Sequence, residues 1–198
     1  KRHGQILDDP LEAATHAIIL GYANGIPNSK QSGIDQGLDI LKGKGKEFNF
    51  HREIIDSQRR LLEQQKDFEV QYPSVTFIDL SLHETIHNLI FLAATVPERK
   101  RELFQDVENL QKLFAIPLNR FWHVKINALV KSEQWEELLK MSRKCPLGYL
   151  PIAKACIKKR LSPKKVFFAQ YFNLSFVKIF WHHSLTFVVT GGRIHKND

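Results

Sequence analysis

Apolar residues return at helical spacing along most of this chain. Residues 48–71 carry a narrow apolar stripe with a seven-residue period, formed by Phe50, Ile54, Ile55, Leu61, Leu62 and Phe68. The other positions are polar, so the pattern predicts an amphipathic helix about 35 Å long. A long helix with a thin stripe packs along a neighbour or forms part of a partner-binding edge. We expect its polar face to bind a partner through Arg52, Gln58, Arg59, Arg60 and Gln65.

Several helix starts are marked by capping residues and prolines. Ser81 with Glu84 three residues later matches the S-x-x-E capping box, and apolar residues then follow on one helical face. Pro97 and Pro117 open two further helices, since proline costs no hydrogen bond in a first turn. We expect Ser132 to cap another helix.

Two tryptophans and one glycine carry structural predictions further along the chain. Trp122 and Trp135 lie on consecutive predicted helices and are expected to form core between them. In the turn at 145–151, Gly148 permits a positive φ and Pro151 begins a helix over 152–159.

The N-terminal part is less regular. Residues 11–20 suit a short buried helix, whereas 21–45 are rich in Gly, Asn, Ser and Lys and predict a loop or a loosely held helix. The run Lys42-Gly-Lys-Gly-Lys46 lacks the spacing of a phosphate-binding loop and is interpreted as a solvated linker.

These patterns together predict an all-α protein, an α-solenoid of stacked helical hairpins with an irregular aromatic tail. We divide it into an N-terminal helix with a Gly/Lys-rich segment (1–46), a solenoid domain (47–165) and the tail (166–198). Residues 166–190 hold eight Phe, Tyr or Trp residues and no acid. Polar residues interrupt that stretch, so a divergent or aberrantly spliced terminus is favoured over a membrane segment.

Composition changes this picture in one respect, because the charge is divided. The chain has 198 residues, 43% of them hydrophobic, and a net charge of +8. Residues 1–137 hold 17 basic and 20 acidic residues, whereas 138–198 hold 12 basic residues and one acid. The run Lys158–Lys165 could be a nuclear-import signal or bind nucleic acid or anionic lipid, but a solvated helix end is favoured because no nucleic-acid-binding motif accompanies it. Two cysteines exclude a disulfide-built domain, and the absence of an apolar signal stretch favours an intracellular piece of a longer protein.

One motif could carry catalysis. His83, Glu84 and His87 match H-E-x-x-H, in which two histidines one turn apart bind zinc and the glutamate activates water. Neither Ile90 nor Ala93 continues the motif with the Gly and His of one zinc-protease group, and Glu84 is already committed to the capping box. A zinc-dependent hydrolase therefore stays an alternative, beside a basic nucleic-acid-binding module. No catalytic residue or cofactor is otherwise predicted.

Four segments carry a family resemblance. Residues 77–86 (FIDLSLHETI), 119–129 (NRFWHVKINAL), 134–138 (QWEEL) and 146–151 (PLGYLP) occur in this order at close spacing. Together they resemble the C-terminal region of the vacuolar protein sorting-associated protein 16 family, most clearly from about residue 47 to 160. After Lys165 the sequence departs from the family, where further Ala-, Glu- and Lys-rich solenoid helices would be expected.

The resemblance implies a non-catalytic helical scaffold without cofactors. It implies a core subunit of the HOPS and CORVET tethering complexes, peripheral on late endosomes and vacuoles or lysosomes, which assembles with the other subunits of these complexes. The implied partner is the SM-type SNARE regulator vacuolar protein sorting-associated protein 33, with SNAREs bound indirectly and no nucleic acid. The family's regulator-binding segment maps onto the helix at 48–71 and the helices up to about residue 131.

Overall fold

The structure is a computed structural model that describes residues 9–148 and 150–158. These ranges are helical and contain no β-strand, which confirms the all-α prediction. The helices are α1 (Pro10–Ala23), α2 (Pro27–Leu41), α3 (Asn49–Gln71), α4 (Leu82–Thr95), α5 (Lys100–Leu113), α6 (Leu118–Lys131), α7 (Trp135–Ser142) and α8 (Leu150–Lys158). The chain divides into two compact units between Leu138 and Leu139. The solenoid arrangement and the three-part division stay predictions.

Two structures were predicted for 21–45, a loop or a loosely held helix, and helix α2 shows that Pro27–Leu41 is helical and packs against α1. Its glycines lie against α1, where Gly21 and Gly33 meet backbone to backbone. A Cβ added at Gly33 would lie 2.8 Å from the Ala17 carbonyl oxygen and 2.8 Å from the Gly21 Cα. The glycines that resemble loop residues in the sequence are therefore the residues that let two helices approach closely. The expected linker at Lys42–Lys46 is an exposed turn that leads into a short 3₁₀ helix, Lys46–Phe48.

Helix α3 spans 23 residues, close to the predicted 48–71. Within the predicted stripe, Ile55 and Leu62 enter the core with Ala14, Ile34 and Leu41, and Phe68 is buried as well. Phe50 and Ile54, which the seven-residue period also places in the stripe, are instead 66% and 43% exposed. Helix α2 packs against α3.

The segment from Tyr72 to Ser81, which we call the elbow, contains two turns, one closed by the bond from Val75 N–H to the Tyr72 carbonyl oxygen and one by that from Leu80 N–H to Phe77. The Glu69 carboxylate accepts hydrogen bonds from the backbone N–H groups of Phe77 (2.7 Å) and Ile78 (2.9 Å). Phe77 is fully buried, with its ring centroid 5.6 Å from that of Phe68.

An ion pair ties the elbow to α2. The buried Lys30 ammonium pairs with the Asp79 carboxylate, whose backbone has a φ of 71°. The Lys30 side chain is 6% exposed and the Asp79 side chain 55%. The same ammonium lies 5.6 Å from the centroid of the Tyr22 ring.

Helix α4 begins as predicted. Ser81 is its N-cap, and both hydrogen bonds of the capping box with Glu84 are present. Helices α5 and α6 pack against α4, and the core between them consists of Ile86, Leu89, Ile90, Ala93, Leu103, Val107, Leu110, Phe121, Ile126 and Leu129. Pro97 opens a 3₁₀ turn before α5, and Pro117 immediately precedes α6.

Two predictions around α7 require correction. Ser132 ends α6 instead of capping α7, since its hydroxyl donates to the Ala128 carbonyl oxygen (2.8 Å). Trp122 and Trp135 are only partly buried, and Leu138 is the fully buried side chain at the start of α7. The Trp122 ring contacts the Lys125 ammonium, at 5.7 Å from its centroid.

In the second unit, Gly148 has the predicted positive φ, at 68°. Pro151 is the second residue of α8, which confirms the predicted helix. No helix within the described ranges is long and apolar enough to cross a membrane. The helix expected at Ser162-Pro163, the basic run past Lys158 and the aromatic tail lie outside the described residues.

Candidate partner-binding surface

Three of the five predicted partner-binding residues lie on the surface of α3. Gln58 is exposed, and the Arg59 and Arg60 side chains are 37% and 43% exposed. We call Gln58, Arg59 and Arg60 the α3 surface. They occupy consecutive positions and therefore fan around the helix.

Asp56 orients both arginines of the α3 surface. Arg59 donates from Nη2 to Asp56 Oδ1 at 2.7 Å, and Arg60 Nε lies 3.0 Å from Asp56 Oδ2. The hydrogen bond that Arg59 donates to Asp56 raises the pKa of the guanidinium above its ordinary value. Exposed pairs at this spacing add only about 0.3–0.5 kcal/mol each to stability, so their main effect is to hold the two guanidinium groups in place.

Arg52 has a different role from the one predicted. Its guanidinium donates to the carbonyl oxygens of Leu41 (2.8 Å) and Lys44 (3.2 Å) and also contacts the Asn49 side chain. A basic side chain on the last carbonyls of a helix satisfies groups that have no partner within the helix. Arg52 therefore closes the end of α2.

Gln65 is also excluded from the surface, because it is only 2% exposed. Its amide donates to the Leu80 carbonyl oxygen (2.7 Å) and to Thr85 Oγ1 (2.9 Å). These bonds join α3 to the elbow and to α4. The prediction that Gln65 binds a partner is wrong, since this side chain is used inside the fold.

A shallow apolar groove beside the α3 surface was not predicted from the sequence. Its walls come from α1 and α3 and consist of Ile18, Ile19, Tyr22, Ala23 and Gln58. Ile19 and Tyr22 belong to the segment predicted as a buried helix or its boundary, yet both are exposed. Helix α1 carries apolar residues on more of its circumference than a neighbouring helix can cover, and this is the sequence signal that could have indicated the groove.

The H-E-x-x-H residues are arranged for helix capping. Glu84 Oε2 accepts hydrogen bonds from the Ser81 backbone N–H (2.8 Å) and hydroxyl (2.7 Å), and these bonds lower the pKa of Glu84. His87 Nε2 is buried without a hydrogen-bond partner, and burial lowers the pKa of this imidazole. Within residues 9–148 and 150–158 no group of three His, Cys, Asp or Glu side chains could hold a metal ion.

A polar cluster joins the end of α3 to α5. The Tyr72 hydroxyl donates to Asp106 (2.8 Å), and the Arg99 guanidinium lies 4.3 Å from the Tyr72 ring centroid while donating to the Gln71 carbonyl oxygen (2.7 Å). Burial raises the pKa of both Tyr72 and Asp106. Because Tyr72, Asp106 and Arg99 all contact residues within this cluster, we assign them the structural role of joining the end of α3 to α5.

Comparison with known proteins places these features in a family. The family described as Vps16, C-terminal region, matches residues 9–174. Vacuolar protein sorting-associated protein 16 homologs of Dictyostelium discoideum and Drosophila melanogaster are each 32% identical, over 119 and 109 residues. The Arabidopsis thaliana protein VACUOLELESS1 is 26% identical over 119 residues.

These alignments cover 59%, 54% and 59% of this chain but only 13%, 12% and 13% of the respective relatives. The chain thus corresponds to a small part of much longer proteins. The match to the family nevertheless extends over most of its length, including every helix described above. The chain belongs to the Vps16 C-terminal region family.

Proposed function

We propose that this chain is the partner-recruiting part of a non-catalytic scaffold subunit in vacuolar protein sorting. The subunit would belong to the HOPS and CORVET tethering complexes, peripheral on late endosome and vacuole or lysosome membranes. Its direct partner would be the SM-type regulator vacuolar protein sorting-associated protein 33. The observation that carries the proposal is the family match over residues 9–174.

The α3 surface supports a protein-binding role. Arg59 and Arg60 are held by one carboxylate, so a partner meets guanidinium groups whose positions are already restricted. Arginine is enriched at interfaces because its planar group can bind a carboxylate through two hydrogen bonds. The adjoining groove adds apolar area from Ile19 and Tyr22.

The test is capture of purified SM-type partner by the Arg59→Glu/Arg60→Glu variant. We expect at least tenfold weaker capture, because removal of two positive charges is combined with two new negative ones beside Asp56. Circular dichroism should show unchanged helical content.

Arg143→Glu/Lys144→Glu is the matched control. These residues lie exposed after α7, outside the segment up to residue 131, and make no ion pair within the described part of the chain, and the variant alters the net charge by the same amount. Equal capture by both variants and the unmodified chain would refute the role of the α3 surface and leave the family assignment intact.

The zinc-hydrolase alternative is tested by metal analysis of protein purified without chelator. We expect no stoichiometric zinc, since Glu84 is bound in the helix cap. Zinc at one equivalent that disappears in His87→Ala would replace our proposal with the hydrolase.

The nucleic-acid alternative rests on Lys158–Lys165 and is tested by titration with duplex DNA and single-stranded RNA at two salt concentrations. Binding that is salt-sensitive and lost when these lysines are neutralised would favour that alternative.

A further inference from the structure

The turn between α2 and α3 presents an unpaired basic group of side chains. We call residues 42–46 the lysine loop. Its three lysines, Lys42, Lys44 and Lys46, are all exposed, and none forms an ion pair within the part of the chain that the structure describes. The lysine loop itself contains no acid, and the nearest acidic residues in the sequence are Asp39, Glu47 and Glu53.

The backbone of the lysine loop is held in place. Arg52 donates to the Lys44 carbonyl oxygen at 3.2 Å, and the Lys44 N–H donates to Leu41 at 3.2 Å. Phe48 packs against the core cluster that contains Ile34 and Leu41. The loop therefore presents its lysines from a fixed base.

An exposed aromatic side chain lies at the same end of α3. Phe50, the second residue of α3, is 66% exposed, and Ile54 follows it one turn later at 43%. A large apolar side chain in water loses the free energy that burial would provide. Phe50 next to a basic loop is the combination found where proteins rest on a lipid–water interface.

We propose that the lysine loop and Phe50 form a contact site for the surface of an anionic lipid bilayer. The ammonium groups lie among the acidic headgroups, and the Phe50 ring enters the boundary between headgroups and acyl chains. The site supplements the proposed scaffold function by giving the subunit a direct membrane contact.

The composition of the site favours lipid over a macromolecule with fixed geometry. Lysines on a glycine-rich turn act as point charges and offer no planar, two-bond recognition, which suits a fluid layer of headgroups. Ile54 provides no face for base stacking, and the site holds a single exposed aromatic, which argues against a nucleic-acid platform.

This inference is independent of the proposed protein partner. Arg59 lies nine residues after Phe50, which is two and a half helical turns, and therefore points to the opposite side of α3. A variant of the lysine loop should capture the SM-type partner as well as the unmodified chain does.

The experiment is co-sedimentation of the full chain with phosphatidylcholine vesicles that contain or lack phosphatidylserine. At about 1 kcal/mol for each lysine near the surface, Lys42→Gln/Lys44→Gln/Lys46→Gln should lower partitioning to the anionic vesicles by about 150-fold. Phe50→Ser should lower it several-fold with all charges retained.

Arg101→Gln/Lys112→Gln/Arg120→Gln is the matched control, because it removes three exposed positive charges elsewhere. It should retain most of the binding. A second control neutralises the lysines of 158–165, of which those after Lys158 lie outside the described residues.

Four results would overturn the proposal. The first is that the lysine-loop variant and the matched control lose vesicle binding to the same extent, and the second is that binding depends only on residues 158–165. The third is that the unmodified chain binds vesicles with and without phosphatidylserine equally. The fourth is that the lysine-loop substitutions weaken binding to an oligonucleotide but not to vesicles. Circular dichroism of each variant shows whether a loss of binding results from unfolding. If the lysine-loop variant is unfolded, vesicle binding by Phe50→Ser tests the proposal in its place.

Discussion

Two glutamines of α3, Gln58 and Gln65, lie seven positions apart on nearly the same side of the helix and have opposite surroundings. Gln58 is exposed beside the groove, whereas Gln65 donates to Leu80 and Thr85 inside the fold. The difference arises because the elbow folds back over the second half of α3 and leaves the first half open. The same residue type therefore contributes to a surface at one position and to stability at the other.

We expect Gln65→Ala to lower the free energy of unfolding by about 2 kcal/mol, because a buried carbonyl and a buried hydroxyl lose their donor. Gln58→Ala should change it by less than about 0.5 kcal/mol. Urea denaturation of both variants checks the comparison, and equal losses would contradict the assignment of Gln65 to the core.

His87 predicts a pH dependence of stability. Burial lowers the pKa of its imidazole in the folded chain below the ordinary value of 6.5, and the positive charge of Lys131 acts in the same direction. Below pH 6.5 the unfolded chain therefore binds a proton that the folded chain binds less readily, and stability falls.

We expect the stability lost between pH 7.5 and pH 5.5 to be smaller in His87→Leu than in the unmodified chain. Urea denaturation at both pH values measures it. An identical loss in the two proteins would show that His87 does not contribute to the pH dependence.

At the scale of elements, local signals were predictable and long-range contacts were not. The start of α4 follows from Ser81 and Glu84 alone, because both partners lie within one turn. Ser132 misled the prediction because the same hydroxyl that caps a following helix can also bond back to the Ala128 carbonyl oxygen. The close packing of α2 was not predicted because the use of Gly33 depends on α1, which the local sequence does not show.

The glycines of α2 allow a matched test. Gly33→Ala places a Cβ 2.8 Å from backbone atoms of α1, whereas at Gly37 the nearest atoms are those of the Ile18 side chain, at 3.0 and 3.1 Å, and the nearest backbone atom is the Ala14 carbonyl oxygen at 3.2 Å. We expect Gly33→Ala to be less stable than Gly37→Ala by about 2 kcal/mol, since backbone cannot move aside as a side chain can. Thermal denaturation checks the order, and the reverse order would refute the close approach of α1 and α2.

At the scale of the whole molecule, contacts between distant positions in the sequence decide how the N-terminal helices attach. Lys30 and Asp79 are separated by 49 residues and join α2 to the elbow. No pattern in the sequence pairs these two residues, so this contact could not be predicted. The charge division is likewise a property of the whole chain, and its basic part lies mostly outside the described residues.

Because Lys30 is buried and Asp79 is half exposed, we expect substitutions at these two positions to lower the free energy of unfolding by different amounts. Asp79→Asn leaves a buried ammonium without its counter-charge, whereas Lys30→Met leaves a carboxylate that water can reach. We expect Asp79→Asn to cost about 2 kcal/mol more, a value reduced for the exposure of Asp79. Asparagine tolerates the φ of 71° at this position, so the backbone should contribute little.

Urea denaturation of both single variants and of the double variant measures the coupling between them. Equal costs for the two single variants, or additive effects in the double variant, would contradict the role of this pair as a buried tie.

The contact made by Arg52 has a consequence for local opening. The Leu41 carbonyl oxygen, the last of α2, accepts from Arg52 in the first turn of α3 as well as from the Lys44 N–H. When that first turn of α3 opens, the end of α2 loses one of these two donors at the same moment. Amide hydrogens near Leu41 and those in the first turn of α3 should therefore exchange with solvent as one cooperative unit.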